Sequence, residues 1–388
     1  MPTSLDPALG LNYRPTLPRR MDWRIGCVGA GFIMRDCHLV AYRSAGFNPV
    51  AIASRNPETA RDVAAWHGVP RVHDAVTGLL ADDSIEILDV AVPPDAQPEL
   101  IRRAVELGKG RLRGILAQKP LAMSLDVARE LVELCADAGI VLAVNQNMRF
   151  DQSVRAAKDV LTRGWLGEVV LATIDMRAVP HWMPWAEGLP SLSTFVMSIH
   201  HLDTFRYWLG TPERVLASTR PDPRTKFPHR DGINLYILEY AGGARASSWD
   251  DVWTGPSKEG VAGDIGIKWR VEGTDGLMQG TIGWPKYPAR EPSTLEYSTR
   301  APATPEVAKQ ASGGAEHGAG WQKPKWDDVW FPDAFVGTMA QLLVAVESGT
   351  EPEISGRDNL ETVALCEAVF TAATEHRVVR LSDVLGAE

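Results

Sequence analysis

Cysteine is scarce: four residues in 388, at positions 27, 37, 135 and 366, none of them in a Cys-x-x-Cys pair. Such spacing excludes a disulfide framework and suits reduced thiols in a cytoplasmic protein. Long apolar runs are missing too, and a membrane-spanning helix needs roughly 20 such residues. Positive charge is in deficit, with 40 Lys and Arg against 49 Asp and Glu and a formal net charge of -9. That balance argues against nucleic acid or an anionic membrane as partner, since neither gains from phosphate neutralisation. The nine histidines are dispersed. There is no His-Glu-x-x-His motif and no Cys/His cluster, so no metal site is expected, and a P-loop and a Gly-x-Ser-x-Gly elbow are also absent. Arg19-Arg20 is followed by polar "MDWRIG" where an exported chain would carry an apolar core, so residues 1–22 read as a Pro-rich extended arm, disordered or lying on a neighbouring subunit.

What is present is ordinary for a globular protein, 45% hydrophobic and 23% charged, and the length favours two domains. Over residues 23–144, strand-like and helix-like segments alternate. Arg24 to Val28 reads as a strand, with glycines and a helix after it. Val50 to Ala53 is a second strand; Asn56-Pro57 then caps and starts a helix that Gly68 ends. "IEILDVAV" is nearly continuous in apolar residues, as expected of a parallel strand covered on both faces. Further on, Pro98 to Leu107 and the segment from Ser124 to Gly139 read as helices, and "IVLAV" as a strand. The alternation predicts βαβ units in an α/β, doubly wound parallel sheet.

Over residues 145–388 the pattern changes. "VLATIDMRA" alternates apolar and polar residues, and "INLYILEY", "ARASSWDD" and "IKWRVEGTDG" continue as long strands between turns. A second α/β domain with an open, mostly antiparallel sheet is expected, finishing in helices near 333–348 and 358–375, with a loop over 301–323.

"VGAGFIM" follows the first strand and opens a helix, the context that a dinucleotide fingerprint requires. Gly29 permits the tight turn and Gly31 the approach of a pyrophosphate, with Phe32 and Ile33 beside it at the helix start. Met34 stands at the third position in place of Gly or Ala. An acidic residue usually ends the second strand of an NAD site; here Ser54-Arg55 does, so NADP is allowed and the choice between NAD and NADP stays open. Pro93 and Gln97, beyond the strand that ends near residue 92, join the expected cofactor contacts, as do Gln118 and Lys119 further along.

"LAQKPLA", residues 116–122, places Lys119 at the carboxyl end of a parallel strand, where doubly wound sheets bind ligands. "FVMSIHHLDTFRYWLG", 195–210, reads as a helix with Ile199, Leu202, Phe205 and Leu209 on its apolar side and His200, Asp203 and Tyr207 as a polar stripe. "VNQNMRF" offers Asn145 and Arg149, and "PHWMPW" offers His181, Trp182 and Trp185, as groups that contact a substrate. Ten of the thirteen tryptophans lie between Trp182 and Trp330, and indole faces stack on the C–H faces of sugars. Asp250 and Asp251 read as structural or solvated.

From Trp23 onward the chain resembles the Gfo/Idh/MocA family (glucose–fructose oxidoreductase, inositol dehydrogenase and rhizopine-catabolism proteins). The resemblance rests on "VGAGFI", on "QKPLA" in the place of the Glu-Lys-Pro signature, and on "SIHHLDTFRYWLG" in the place of the Asp-x-Gly-x-His-x-x-Asp helix. It implies an N-terminal Rossmann domain, a C-terminal α/β domain and hydride exchange between a nicotinamide and a secondary alcohol of a sugar or polyol. By the same resemblance Lys119 moves the hydroxyl proton, Pro120 is cis, His200 bonds the reacting oxygen, and the open sheet pairs subunits into a homodimer or homotetramer. Close to a cationic nicotinamide ring, the ammonium form of a lysine is disfavoured, which suits a base. Three positions depart from the pattern: Gln118 replaces glutamate and removes a charge beside Lys119, while Val196 and Ser198 stand where Asp and Gly are frequent. Two other readings follow from these departures. One is a redox-neutral, NAD-dependent enzyme that cleaves glycosides, which the missing carboxylate at 196 disfavours. The other is a non-catalytic dinucleotide-binding protein, against which the retention of Lys119 and His200 argues.

Overall fold

The structure, a computed structural model, describes residues 10–177, 184–186, 188–224, 228–251, 266–283, 291–300 and 320–386. Two compact units emerge, and they follow contacts in place of chain order: residues 14–150 with 331–363 form one, and residues up to 13 with 151–330 and 364–388 form the other.

The first unit holds six strands, β1 (Arg24–Val28), β2 (Asn48–Ala53), β3 (Arg71–His73), β4 (Ile87–Val90), β5 (Gly114–Ala117) and β6 (Val141–Val144). They pair in parallel in the order β3-β2-β1-β4-β5-β6, the doubly wound order whose strand reversal sits between β1 and β4. Every residue of β4 and β5 is buried, which is why their sequences lack polar alternation. The helices between strands carry the signals read from sequence. α1 (Leu39–Ala45) stops at left-handed Gly46. Asn56 accepts the Glu58 N–H at the start of α2 (Pro57–His67), and Gly68 ends it with φ 71°. α3 (Val76–Leu80) and β3 were not anticipated; both are too short to show a period. α4 (Gln97–Gly108) and α5 (Leu125–Asp137, capped by Ser124) complete the set.

One late segment belongs here as well. Helix Ala334–Ser348 packs on β5, where a Cβ at Gly114 would stand 2.8 Å from Leu342 and 3.1 Å from Val346. Glycine at that position is what lets helix and strand approach.

The arm corrects one expectation. Residues 14–22 lie against this same unit through bonds of their own, while residues 1–9 of the arm lie outside the described residues. The Arg20 guanidinium bonds both Glu86 oxygens at 3.1 and 2.8 Å and lies 3.9 Å over the Trp23 ring, and the Arg19 and Arg20 N–H groups donate to Glu347. Residues 10–13 lie in the other unit, with Leu11 and Tyr13 buried and the Asn12 N–H on Asp159.

The second unit opens with α6 (Gln152–Thr162) and β7 (Val169–Arg177) and continues through α7 (Ile199–Leu209), β8 (Arg214–Arg220), β9 (Ile233–Glu239), β10 (Arg245–Asp251), β11 (Gly266–Gly273), β12 (Gly276–Ile282), β13 (Thr294–Thr299) and β14 (Val379–Arg380). The sheet runs β13-β12-β11-β7-β10-β9-β8-β14, antiparallel except between β7 and β10. Ala172, Ile174, Met176, Tyr236 and Leu238 fill its covered face, while Leu235 and Ile237 on the other face are 47% and 44% exposed. After helix Gly356–Glu375 the chain does not stop as expected: β14 and a short helix, Leu381–Leu385, follow. Of the expected loop over 301–323, residues 301–319 lie outside the described residues. Among the described residues no helix is long and apolar enough to cross a membrane.

Candidate active site

In the first unit the site grows from the carboxyl ends of the parallel strands. β1 delivers Gly29, which has φ 106°; a Cβ there would sit 2.2 Å from the Ala91 carbonyl oxygen, so conformation and space both demand glycine. Beside Gly31 a Cβ would meet nothing within 4 Å, which leaves its backbone open to a ligand. The chain then enters a widened π-helical turn, Ile33–His38, before α1. Met34 is fully buried within that turn, the packing found where a third small residue would have drawn helix and strand together. Phe32 is exposed and tilts against Phe331, and Ile33 is half-buried. This cradle suits the pyrophosphate of a dinucleotide, with an open backbone at the start of a helix.

At the end of β2, Ser54 is half-buried and Arg55 exposed. Pro93 is half-buried on the loop after β4, where its carbonyl takes the Ala96 N–H.

Gln97 is placed differently from the cofactor contact expected of it. It is wholly buried; its Nε2 lies 2.6, 2.9 and 3.1 Å from the carbonyls of Gln118, Pro120 and Leu121, and its Oε1 takes the Gln118 N–H at 2.6 Å. The amide is thus spent on the backbone of the loop that carries Lys119, and the residue acts as a clamp. The Lys119-Pro120 bond is cis. Lys119 itself is half-buried, directly beyond β5.

Gln118 retains the accepting role of the glutamate it replaces. Its Oε1 takes the Lys119 N–H at 3.0 Å and the Asn145 amide at 3.3 Å, with no charge. Asn145 is completely buried; its N–H bonds the Ala117 carbonyl, and its Nδ2 lies 3.0 Å from His38 Nε2. Arg149 does not stand free for a substrate: it is buried, with one nitrogen on the Glu353 carbonyl at 2.6 Å and another on Asp358 at 2.7 Å. It ties the short helix Asn147–Phe150 to the start of helix Gly356–Glu375.

In the second unit, α7 carries His200 and Asp203. The expected stripe is in fact enclosed: both residues are buried along with Ile199, Leu202 and Phe205, so the helix is covered on nearly every side. His200 meets Trp330 edge to face, with centroids 5.5 Å apart. A second π-helical turn, Ser193–Ser198, precedes the helix, and the Asp231 carboxylate accepts the Leu192 and Thr194 N–H groups at its start. Val196 is buried, and the Ser198 hydroxyl donates to Asp250, so neither position supplies a carboxylate. Asp250, read as structural or solvated, is structural: it is fully buried and pairs with His201 at 2.8 Å. Burial, with the nearby Asp250 charge second, raises the pKa of the Asp175 carboxyl on the same sheet above the usual carboxylate range. His181 and Trp182 lie outside the described residues, and Trp185 is 39% exposed.

Sequence reading missed His38, Asp89 and His201. Asp89 left a signal, being an acid inside the otherwise apolar run "IEILDVAV"; a buried carboxylate requires partners. It has them in His38 and Tyr42, both at 2.7 Å.

Residues 23–146 match the family described as "Oxidoreductase family, NAD-binding Rossmann fold", and residues 154–279 match "GFO/IDH/MocA C-terminal domain". The chain belongs to the GFO/IDH/MocA family. It is therefore an enzyme of an NAD(P)-dependent oxidoreductase family. Among curated relatives, D-apiose dehydrogenase of Paraburkholderia graminis is 24% identical over 361 residues, covering 92% of this chain and 89% of that protein. Inositol 2-dehydrogenase of Rhizobium meliloti is 24% identical over 376 residues, covering 93% and 100%. A solved oxidoreductase from Agrobacterium radiobacter, in complex with NAD+, L-tartaric acid and magnesium, superposes with a TM-score of 0.75 at 23% identity, covering 93% of this chain and 99% of that one. At that identity the likeness shows the fold alone.

Proposed function

We propose that this family member is a dehydrogenase that oxidises a secondary hydroxyl of a sugar or polyol with NAD or NADP. The observation that carries the reading is the set lysine: Lys119 stands at the carboxyl end of β5, with its loop clamped by Gln97 and its own N–H held by Gln118. A bound nicotinamide dinucleotide supplies the acceptor for the hydride that leaves the carbinol carbon. Lys119 takes the hydroxyl proton on Nζ as the C–O bond becomes a carbonyl; for His200 a role on the reacting oxygen is assigned on the family pattern alone. Asp203, one helical turn beyond His200, is assigned to substrate binding on the family pattern alone. Gly29 and Gly31 admit the pyrophosphate. The relatives support a carbohydrate substrate, since those named above are dehydrogenases of D-apiose and inositol.

For the choice of cofactor, Arg55 is the deciding group. It is exposed and makes no hydrogen bond or ion pair among the described residues, so its guanidinium is available to a 2′-phosphate. The relative in Haloferax volcanii, 24% identical, is named D-xylose 1-dehydrogenase (NADP(+)) 2. We therefore assign NADP as an accepted cofactor.

The open sheet face is assigned to subunit pairing. Its Leu235 and Ile237 are nearly half exposed, and a two-fold pairing of such faces would remove them from water.

Reduced-nicotinamide absorbance, followed with NAD+ and NADP+ across aldoses, polyols and inositols, tests the reading. Turnover on one sugar or polyol class is expected. Dinucleotide binding without turnover on any class would count against it, and release of an aglycone from a glycoside with no accumulated reduced nicotinamide would favour the redox-neutral alternative.

A further inference from the structure

Behind Lys119, within the first unit, five polar groups form one buried chain. The Tyr42 hydroxyl donates to Asp89 Oδ2 at 2.7 Å, and His38 Nδ1 lies 2.7 Å from the same oxygen. On the far side of the ring, His38 Nε2 lies 3.0 Å from Asn145 Nδ2, which also reaches Gln118 Oε1 at 3.3 Å; that oxygen takes the Lys119 N–H at 3.0 Å. His38 and Asp89 are 1% and 0% exposed, Asn145 is 0% and Gln118 9%.

Donors and acceptors along this chain admit a single assignment. The Asn145 amide nitrogen has two hydrogens and faces two acceptors, His38 Nε2 and Gln118 Oε1. Turned over, the amide would set its oxygen against Gln118 Oε1, which already takes the Lys119 N–H, so Gln118 fixes the orientation even though Asn145 Oδ1 is left without a hydrogen bond. Nε2 must then offer a lone pair, which puts the ring proton on Nδ1, where Asp89 receives it. Phe335 packs on the imidazole at 5.1 Å and closes the pocket on the apolar side. In so dry a place a mismatched donor or acceptor has no water to turn to.

We propose that His38 is a positioning residue for the reaction assigned above: held as its Nδ1–H tautomer by Asp89, it sets the Asn145 amide, and through Gln118 it fixes the backbone from which Lys119 reaches the substrate. Nothing in the chain transfers a proton to substrate. Its effect is on where Lys119 stands, and the inference rests on the dehydrogenase reading only through the role of that lysine.

Asp89→Asn tests the proposal. An amide at 89 can donate to Nδ1 and move the ring proton to Nε2, which then opposes the Asn145 donor. The expected result is a fall in kcat of about tenfold or more at unchanged dinucleotide affinity and unchanged KM for the sugar or polyol. Tyr42→Phe removes a second bond to the same carboxylate together with the 3.3 Å contact of its hydroxyl with His38 Nδ1; it is expected to lower Tm while His38 keeps its Nδ1–H tautomer, because Asp89 still accepts that proton. Nitrogen-15 spectra of histidine-labelled wild-type protein give an answer that needs no variant: His38 should show Nδ1–H. An Nε2–H signal in the wild type, or an Asp89→Asn enzyme with full kcat, would overturn the inference. Absence of dehydrogenase turnover in the wild type, with Nδ1–H present at His38, would instead sink the proposed function and leave the tautomer assignment standing.

Discussion

Two residues at the nucleotide end separate what folding requires from what the cofactor requires. Gly29 is bound to its role by geometry, because any Cβ at φ 106° meets the Ala91 carbonyl. Gly29→Ala is expected to abolish dinucleotide binding and to lower Tm, measured by cofactor titration and thermal melting. Arg55 is exposed and makes no hydrogen bond or ion pair among the described residues. Arg55→Ala should therefore leave Tm and the KM for NAD+ unchanged while raising the KM for NADP+ about tenfold or more, the loss of one charge-assisted contact. Equal effects on both cofactors would show that the arginine does not meet a 2′-phosphate. At this scale the positions of Gly29, Gly31 and Lys119 just beyond strand ends were legible, because each lies in a short local pattern. Gln97 and Arg149 were not legible as they are. Both sit beside the expected cleft in sequence, but a buried amide and a buried guanidinium follow unpaired backbone oxygens and carboxylates far along the chain, here at 118–121 and at 353 and 358.

Among the elements, helices with a period and a cap were readable, and those set by their neighbours were not. The Asn56-Pro57 start and Gly68 stop of α2 follow from local propensity. The π-helical turn at 33–38 does not; it carries Met34 inside and His38 toward Asp89, and only the packing reveals it. α6 shows what a cap costs when it is buried. Asp151 accepts the Ser153 and Val154 N–H groups, yet burial outweighs these bonds and pushes its carboxyl from 3.8 up to about 6. Between those values the folded chain holds a proton that the unfolded chain has released, so stability falls as pH rises through that window, by on the order of 3 kcal/mol in total. Asp151→Asn keeps a capping oxygen and loses the titration. Its Tm relative to wild type should climb as pH is raised from 4 to about 6.5 in thermal melts; a constant gap would contradict the assignment. Helix 334–348 makes a second element-scale case. A Cβ at Gly337 would lie 2.2 to 2.8 Å from Phe150 atoms, so Gly337→Ala should destabilise the protein by about 1–3 kcal/mol in denaturant titration.

On the scale of the whole molecule, sequence order misleads in one respect. Residues 331–363 come after strands β7 to β13 of the open sheet in the chain but are built into the unit of the parallel sheet, where Gly114 on β5 receives Leu342 and Val346. No periodicity announces a contact across more than two hundred residues, whereas the two sheet classes were plain from the change between unbroken apolar strands and alternating ones. The alternation also leaves Leu235 and Ile237 exposed on the other face of the second sheet among the described residues. Sedimentation velocity should find a dimer or larger assembly, and Leu235→Asp should shift it toward monomer. A monomeric wild type would remove that face from the account.

The central claim is that Lys119 takes the proton in a nicotinamide-dependent oxidation. The most direct measurement is kcat for Lys119→Ala beside wild type, on the sugar or polyol that wild type turns over, with cofactor affinity determined in parallel. A fall of about 10²–10⁴ in kcat with dinucleotide binding intact is predicted. A variant that oxidises the same substrate at the wild-type rate would contradict it.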